Sequence, residues 1–576
     1  GASINILTDA ISEKASAEIS NTFGSYNTRK HNVKFSTGKL NNHFEIAGRL
    51  SQIKSDGYID RATSNLKSYF LQGSYVDENT LIKAIVFGGQ EITYQAWNGI
   101  DAETLKNDRT FNPSGLYTDT DGNVRFYDNE VDNYKQDHYQ LHWNERFNNN
   151  WAMNLGLNYT YGRGFFEQYK EDQNFTDYGL DEITIGGETI NTTDLIRRRW
   201  LDNDFYVIVA NANYNDHNLE MSFGGSYSSY DGDHFGEIIW AQYASNSQIR
   251  EQYYSSNGKK NDFSLFSKAT YKLNNKVSLY GDLQIRFVGY KTSGLTSDRV
   301  NLLIDETYSF FNPKAGITYT LNDKSNLYFS YARANREPSR SDFKSNPNIK
   351  PEQLNDFELG WRHTKDKFRI NANAYYMLYN EQLVLTGAID DVGTPIRVNS
   401  GDSYRLGLEI DVALQISSKF AIQPNFTISS NKNKSTYSQI DGDLVNLGKT
   451  NIAFSPEFIA ANTLVFQPKE NLQVSLLSKY VGEQFMGNTD SGVSKLDSYF
   501  VNDLNIIYEI TTNSIFKSIV FSGLINNIFN KKYVSNGYYF TYDDTWSVPE
   551  QTTTIEGAGY YPQATTNFLL GVTLQF

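Results

Sequence analysis

The chain has 576 residues, no cysteine, 15% aromatic residues and a formal net charge of −14. Without cysteine there is neither a disulfide framework nor a thiolate metal site, and the acidic balance opposes binding to nucleic acid. No run of 18 apolar residues occurs, so helical membrane spans are excluded; a β-barrel, which needs only every second residue to be apolar, is not.

Taken in chain order, the sequence alternates between two kinds of connection. Short polar turns fall at 39–42, 77–79, 148–150, 215–217, 273–275, 321–324, 365–367, 417–419, 468–471 and 511–513. Asn and Asp dominate them, because these residues tolerate left-handed backbone angles and close tight hairpins. Between the turns lie connections that are mostly long and polar, at 55–63, 94–133, 164–200, 231–260, 291–306, 337–353, 381–402, 431–454, 484–497 and 529–566, with a brief one near 25–28. Ten turns and eleven loops require twenty-two strands.

The segments so delimited read with a period of two. At 151–161 Trp151, Met153, Leu155, Leu157, Tyr159 and Tyr161 share one face. At 277–287 Val277, Leu279, Leu283, Ile285 and Phe287 oppose Ser278, Tyr280, Asp282, Gln284 and Arg286. At 404–414 Leu406, Leu408, Ile410, Val412 and Leu414 oppose Arg405, Glu409 and Asp411. Charges at alternate positions would ruin a sandwich core but suit a wet barrel lumen. The last ten residues place Phe568, Leu570, Val572, Leu574 and Phe576 on one face, as a closing strand facing lipid would. The expected fold is all-β: a 22-stranded antiparallel transmembrane β-barrel over 13–576, with short periplasmic turns and long extracellular loops.

No catalytic arrangement emerges, so neither an enzyme nor a cofactor is expected. His138 and His142 would share a helix face, but on an extended strand they stand about 13 Å apart, too far for one metal ion. Asp119, Asp121, Gly122 and Asn123 resemble a calcium loop, yet the glycine comes early and no bidentate Glu follows, so an acidic turn is expected. The loops offer a binding surface instead. Tyr169 and Tyr178 lie in 164–200, Tyr253 and Tyr254 in 231–260, and Tyr538, Tyr539, Tyr542, Trp546 and Tyr560 in 529–566. Rings with a polar tip give contact area at low entropic cost, which marks these nine as candidates for gripping a ligand. Of the seven histidines only His234 falls in a long loop, which weakens a haem reading.

Several stretches resemble TonB-dependent outer-membrane receptors. Residues 330–343 (SYARANREPSRSDF), 346–352 (NPNIKPE) and 357–360 (FELG) are similar to the mid-barrel segment of that family. Residues 526–533 (NNIFNKKY) resemble its penultimate-strand motif, and the terminal Phe576 its recognition residue for barrel assembly. Residues 1–8 (GASINILT) resemble the end of its plug domain, so 1–12 reads as a plug remnant, with nearly all of the plug and any TonB box outside this sequence. The resemblance implies a plug in the lumen facing Arg286, Glu358, Arg362, Arg405, Glu409 and Asp411. It further implies coupling to the TonB–ExbB–ExbD complex, insertion by the barrel-assembly machinery, and a Gram-negative outer membrane of lipid bilayer and lipopolysaccharide. The iron-complex branch, suggested by 336–339, implies a small iron chelate as ligand, most readily a ferric siderophore. Haem, cobalamin and glycan import remain open at this point, as does a structural or secretion-associated barrel holding a partner protein.

Overall fold

A computed structural model describes residues 11–389, 394–512 and 514–576. Ten of the twelve residues read as a plug remnant lie outside these, as does the last residue of the 511–513 turn. The described chain forms a closed antiparallel barrel of 22 strands. Closure joins the first wall strand, Ser16–Gly24, to the last, Asn567–Gln575, in the register Glu18↔Gln575 to Gly24↔Leu569. Ser20 and Thr573 hydroxyls meet across that seam at 2.9 Å, and the Phe576 amide donates to the Ala17 carbonyl at 2.9 Å. No edge is left, which is the only sheet solution tolerated in hydrocarbon.

The turns at the periplasmic end are built by one local device. Asp77 Oδ1 accepts from the amides of Asn79 and Thr80 at 2.9 and 2.8 Å. Asn148 does the same for Asn150 and Trp151, Asp216 for Asn218 and Leu219, and Asn274 for Lys276 and Val277. Each carboxylate or amide thus satisfies two backbone donors that the hairpin bend strands, and this is why Asn and Asp recur there.

Alternation then fixes the wall. Leu283, Ile285 and Phe287 are exposed on the outer face, as are Leu406, Leu408, Phe568 and Leu570. The intervening positions point inward and carry polar pairs, such as Gln284 donating to Ser264 at 3.0 Å and Asn371 donating to Asp411 at 2.6 Å. His138 and His142 are inward too. His138 stacks on Phe87 with ring centroids 4.3 Å apart and bonds the Thr160 hydroxyl at 2.8 Å, while His142 bonds Gln140 at 3.1 Å.

The extracellular loops are shorter than the spacing of the turns predicts. The strands run well past the membrane: Trp151–Asn174 and Thr192–Asn215 have 24 residues each, and Leu219–Ala241 has 23. About ten residues suffice to cross a bilayer. The expected loop 164–200 therefore shrinks to 175–191, 231–260 to 242–251 and 291–306 to 296–300. Above the membrane neither face must be apolar, so alternation disappears while backbone pairing continues. His234 consequently sits on a strand rather than in a loop. The hydrophobic clusters gather in this extracellular part, one around Phe175, Leu195 and Tyr253, one around Tyr290 and Phe343, and one around Met486 and Tyr539.

Candidate ligand vestibule

The extended strands hold a polar vestibule above the lumen. Its best-defined part is a cavity of about 350 Å³ whose lining includes Phe166, Arg199, His234, Tyr254, Arg340 and Lys344. Thr394 and Pro395 also line a larger neighbouring cavity of about 950 Å³, which Trp97, Asp132, Gln484, Asn536 and Tyr561 help enclose. Trp97 stands edge-on to Phe166 at 5.1 Å, so the two spaces share an aromatic corner.

Arg340 opens the short helix Arg340–Ser345, and that helix is clamped. Ser339 and Asp342 form a capping box at its start. Arg397, from the strand Pro395–Asn399, adds bonds from Nε and Nη2 to Asp342 at 2.9 and 3.0 Å. Underneath, Phe343 stacks on Tyr290 at 5.3 Å and is almost wholly buried. Sequence thus fixes where Arg340 points: a cap satisfies the helix end and an aromatic plug seats its far face.

The Arg340 guanidinium donates from Nη2 to Ser256 Oγ at 2.7 Å, its Nε is buried without a partner, and no carboxylate among the described residues pairs with it. Burial holds its pKa below the usual value, while Tyr290, Tyr254, Tyr230 and the Asp298 carboxylate push the other way. Burial, and then the Arg340 charge, press His234 down to about 4, so it stands neutral beside that cation. Lys344 is held by Asp298 at 2.8 Å. On the other side of the vestibule, burial and then Glu91 raise Asp132 to about 6. Among the described residues the lining sets Arg199, Arg340 and Lys344 against Asp298, so it is net cationic and aromatic, and no carboxylate bonds the Arg340 guanidinium directly. Such a site favours a ligand that brings negative charge and flat ring surface.

The nine aromatic candidates do not converge on one pocket. Tyr254 lines the cationic cavity. Tyr178 and Tyr253 pack with tilted rings, centroids 4.7 Å apart, in the buried cluster behind it, and their hydroxyls accept from Arg197 and Arg199 at 3.1 and 3.3 Å. Tyr169 packs on Tyr117 at 4.4 Å and donates to Asp194 at 2.8 Å. Tyr539 is buried against Met486 and Leu496, donates to Glu556 at 2.6 Å, and borders a separate cavity of about 610 Å³. Tyr560 packs on that cluster and Tyr538 lies against Tyr561, while Tyr542 and Trp546 stack at 6.1 Å, with Trp546 70% exposed.

The cavity residues outside the nine candidates, Phe166, Arg199, His234, Arg340 and Lys344, come from four separate segments. The run Arg197-Arg198-Arg199 in a net-acidic chain was the one available signal.

Lower in the barrel the inward charges occupy lumen positions. Arg286 binds Asp262 at 2.9 Å through Nε and grips Glu337 with both terminal nitrogens at 2.7 and 2.8 Å. Arg362 lies over Tyr328 at 4.7 Å, Arg405 donates to Ser455 at 2.9 Å, Asp411 accepts from Asn371, and Glu358 and Glu409 share the same face. On the 116–126 hairpin, Asp119 accepts from the Asp121 and Asn123 amides and pairs with Arg125 at 2.9 Å. That carboxylate is spent on a tight turn.

A family model described as "TonB dependent receptor-like, beta-barrel" matches residues 74–528. A sequence relative, the catecholate siderophore receptor Fiu of Escherichia coli K12, is 22% identical over 250 residues, 40% of this chain. That match spans 30% of the relative's length, under a third of it. The closed form of the ferric-catecholate import receptor Fiu from the same organism superposes with a TM-score of 0.70 at 14% identity, covering 98% of this chain and 82% of that one. The ferric yersiniabactin uptake receptor FyuA from Yersinia pestis gives 0.70 at 12% identity, covering 99% and 81%.

Proposed function

The chain belongs to the TonB-dependent receptor-like β-barrel family of the Gram-negative outer membrane, and from that premise we propose that it captures a scarce, anionic iron chelate, a ferric siderophore, and imports it. The observation that carries this reading is Arg340: a guanidinium with a buried Nε and, among the described residues, no bonded carboxylate, set among tyrosines at the wall of a vestibule inside the barrel mouth. Siderophore complexes with catecholate or carboxylate donors present the complementary surface, negative oxygens around iron and planar rings at the periphery. The catecholate receptor among the relatives supports the same direction.

Import in this reading uses a plug in the lumen, moved from the periplasm by TonB with ExbB and ExbD. Its contacts are the inward charges at Arg286, Glu358, Arg362, Arg405, Glu409 and Asp411. No chemistry on the ligand is required, so the protein acts as a receptor and not as an enzyme. The deciding experiment is growth of a deletion strain on single sources of ferric catecholate, ferric citrate, haem, cobalamin and glycan. The expected defect is confined to a ferric chelate. A defect confined to haem, cobalamin or glycan would overturn the iron reading and leave the transporter in place.

A further inference from the structure

Apart from the vestibule, the extracellular part holds the cavity of about 610 Å³ that Tyr539 borders, and its chemistry is of another kind. Amides and hydroxyls dominate its lining, among them Asn399, Asn433, Ser435, Ser438, Asn488 and Thr489. Two charged residues, Asp402 and Lys434, belong to the described lining, and they pair with each other at 3.3 Å. An anion finds the lysine taken and a cation finds the carboxylate taken. Neither the chelate proposed for the vestibule nor an amine therefore gains much by entering.

Irregular strand pairing builds this lining. In the strand Phe420–Ile440 every residue from Asn433 to Ser438 lines the cavity, whereas a regular strand turns alternate side chains away. Its pairing with Asp443–Asn451 shifts register between Asn433 and Thr436, and again between Thr436 and Tyr437. Such irregularities re-aim side chains. Tyr437 emerges 61% exposed, while Asn433 is wholly buried. Asn433 Nδ2 donates to Thr450 Oγ1, the Asn451 carbonyl and Asn488 Oδ1 at 3.4, 3.3 and 3.3 Å, which fixes the amide, and its Oδ1 has no partner. Ser400 Oγ is likewise buried and unpartnered. Buried polar atoms left in this state cost free energy that a hydrogen-bonding ligand recovers.

We infer that this cavity docks a saccharide unit of a neutral polysaccharide that reaches the cell from outside, with a pyranose ring on Tyr437 and its hydroxyls on the amide and hydroxyl lining. Sugar hydroxyls both donate and accept, as neutral Asn, Ser and Thr side chains do, and the C–H face of a pyranose suits the negative face of an aromatic ring. The site is separate from the vestibule and does not depend on what the vestibule binds. It holds the cell against a polymer and is not a route of import.

The test uses the full barrel in a polyoxyethylene detergent, which carries no sugar. Immobilised oligosaccharides of neutral glucans, mannans and galactans are compared with acidic ones from polygalacturonate and alginate, and calorimetry then measures the strongest neutral binder. Binding is expected to be confined to neutral chains and to persist in the presence of ferric catecholate. Tyr437→Ala should weaken it roughly tenfold. Ser400→Ala should weaken it about fivefold without lowering the melting temperature, because the hydroxyl removed has no partner in the free protein. A deletion strain should grow on the same sugar as the wild type does. The site is overturned if no neutral oligosaccharide binds above background, if acidic chains bind equally, or if Tyr437→Ala keeps wild-type affinity. Displacement by ferric catecholate would merge it with the vestibule, and a growth defect on the sugar would replace docking by import.

Discussion

At the scale of single residues, the proposed capture of a ferric chelate depends on Arg340 and its neutral neighbour His234. Removing a charged hydrogen-bond donor from a buried site costs about 2 kcal/mol, roughly 30-fold in affinity. Arg340→Gln should therefore weaken binding of the ferric chelate by about that factor, read by fluorescence quenching on purified receptor. Arg362→Gln, which lies over Tyr328, should leave it unchanged; equal losses would remove Arg340 from the site. His234 gives a pH test. In the unfolded chain it takes up a proton near pH 6.5, but in the fold burial and Arg340 delay this to about 4. Between those values the unfolded chain holds more protons, so the His234 contribution to stability is complete above about 6.5 and is lost as pH falls toward 4. His234→Gln should flatten this window, measured as the difference in denaturation midpoint between pH 7.5 and pH 4.5. An unchanged difference would place His234 in water. In the sequence His234 stood out only as the one histidine of a long loop, and Arg340 only as part of the 330–343 segment; nothing there joined the two. Density of Tyr and Trp pointed to the loops, where Tyr178, Tyr253 and Tyr539 prove to be packing residues. Rings in a polar loop are what such a loop buries first, while Arg199, His234 and Arg340 meet only through strand pairing over long separations.

At the scale of elements, the membrane part of each strand was the most legible feature of the chain. Lipid demands apolar side chains at alternate positions, and each hairpin demands an Asn or Asp to cap its stranded amides, so Asp77, Asn148, Asp216 and Asn274 could be placed from sequence. The same rule explains the failure higher up. On Trp151–Asn174 the alternation Leu155, Leu157, Tyr159 gives way to Arg163, Phe165 and Glu167, and a paired strand reads as a loop. The rule also yields a test on adjacent residues. Leu408 faces lipid near mid-membrane and Glu409 faces the lumen. Leu408→Arg should cost about 2–4 kcal/mol and reduce the folded, heat-modifiable band in outer-membrane fractions. Glu409→Lys, which adds a cation one position along, should insert normally. If both variants inserted alike, the inward and outward assignment of this strand would be wrong.

At the scale of the whole molecule, tight capture and import pull against each other. A chelate held at nanomolar affinity is stabilised by about 12 kcal/mol relative to free ligand, and most of that must be offset before release to the periplasm. Slow dissociation accompanies such affinity, since tight complexes differ from weak ones chiefly in off-rate. A 22-stranded wall with its strands paired around the full circle is too rigid to loosen the vestibule by itself. In the proposed function the loosening comes from a plug inside the lumen, and the inward ion pairs around Arg286 and Glu337 would give it a polar surface to slide on. Binding and transport should then separate cleanly. In cells treated with a protonophore, surface binding of a radio-iron catecholate should persist while its appearance in the cell stops. Arg340→Gln should lower both together at limiting chelate and restore both at high concentration, because it weakens capture and leaves energy coupling intact. Uptake that continued undiminished in de-energised cells would identify a passive pore, and the vestibule would then need another purpose.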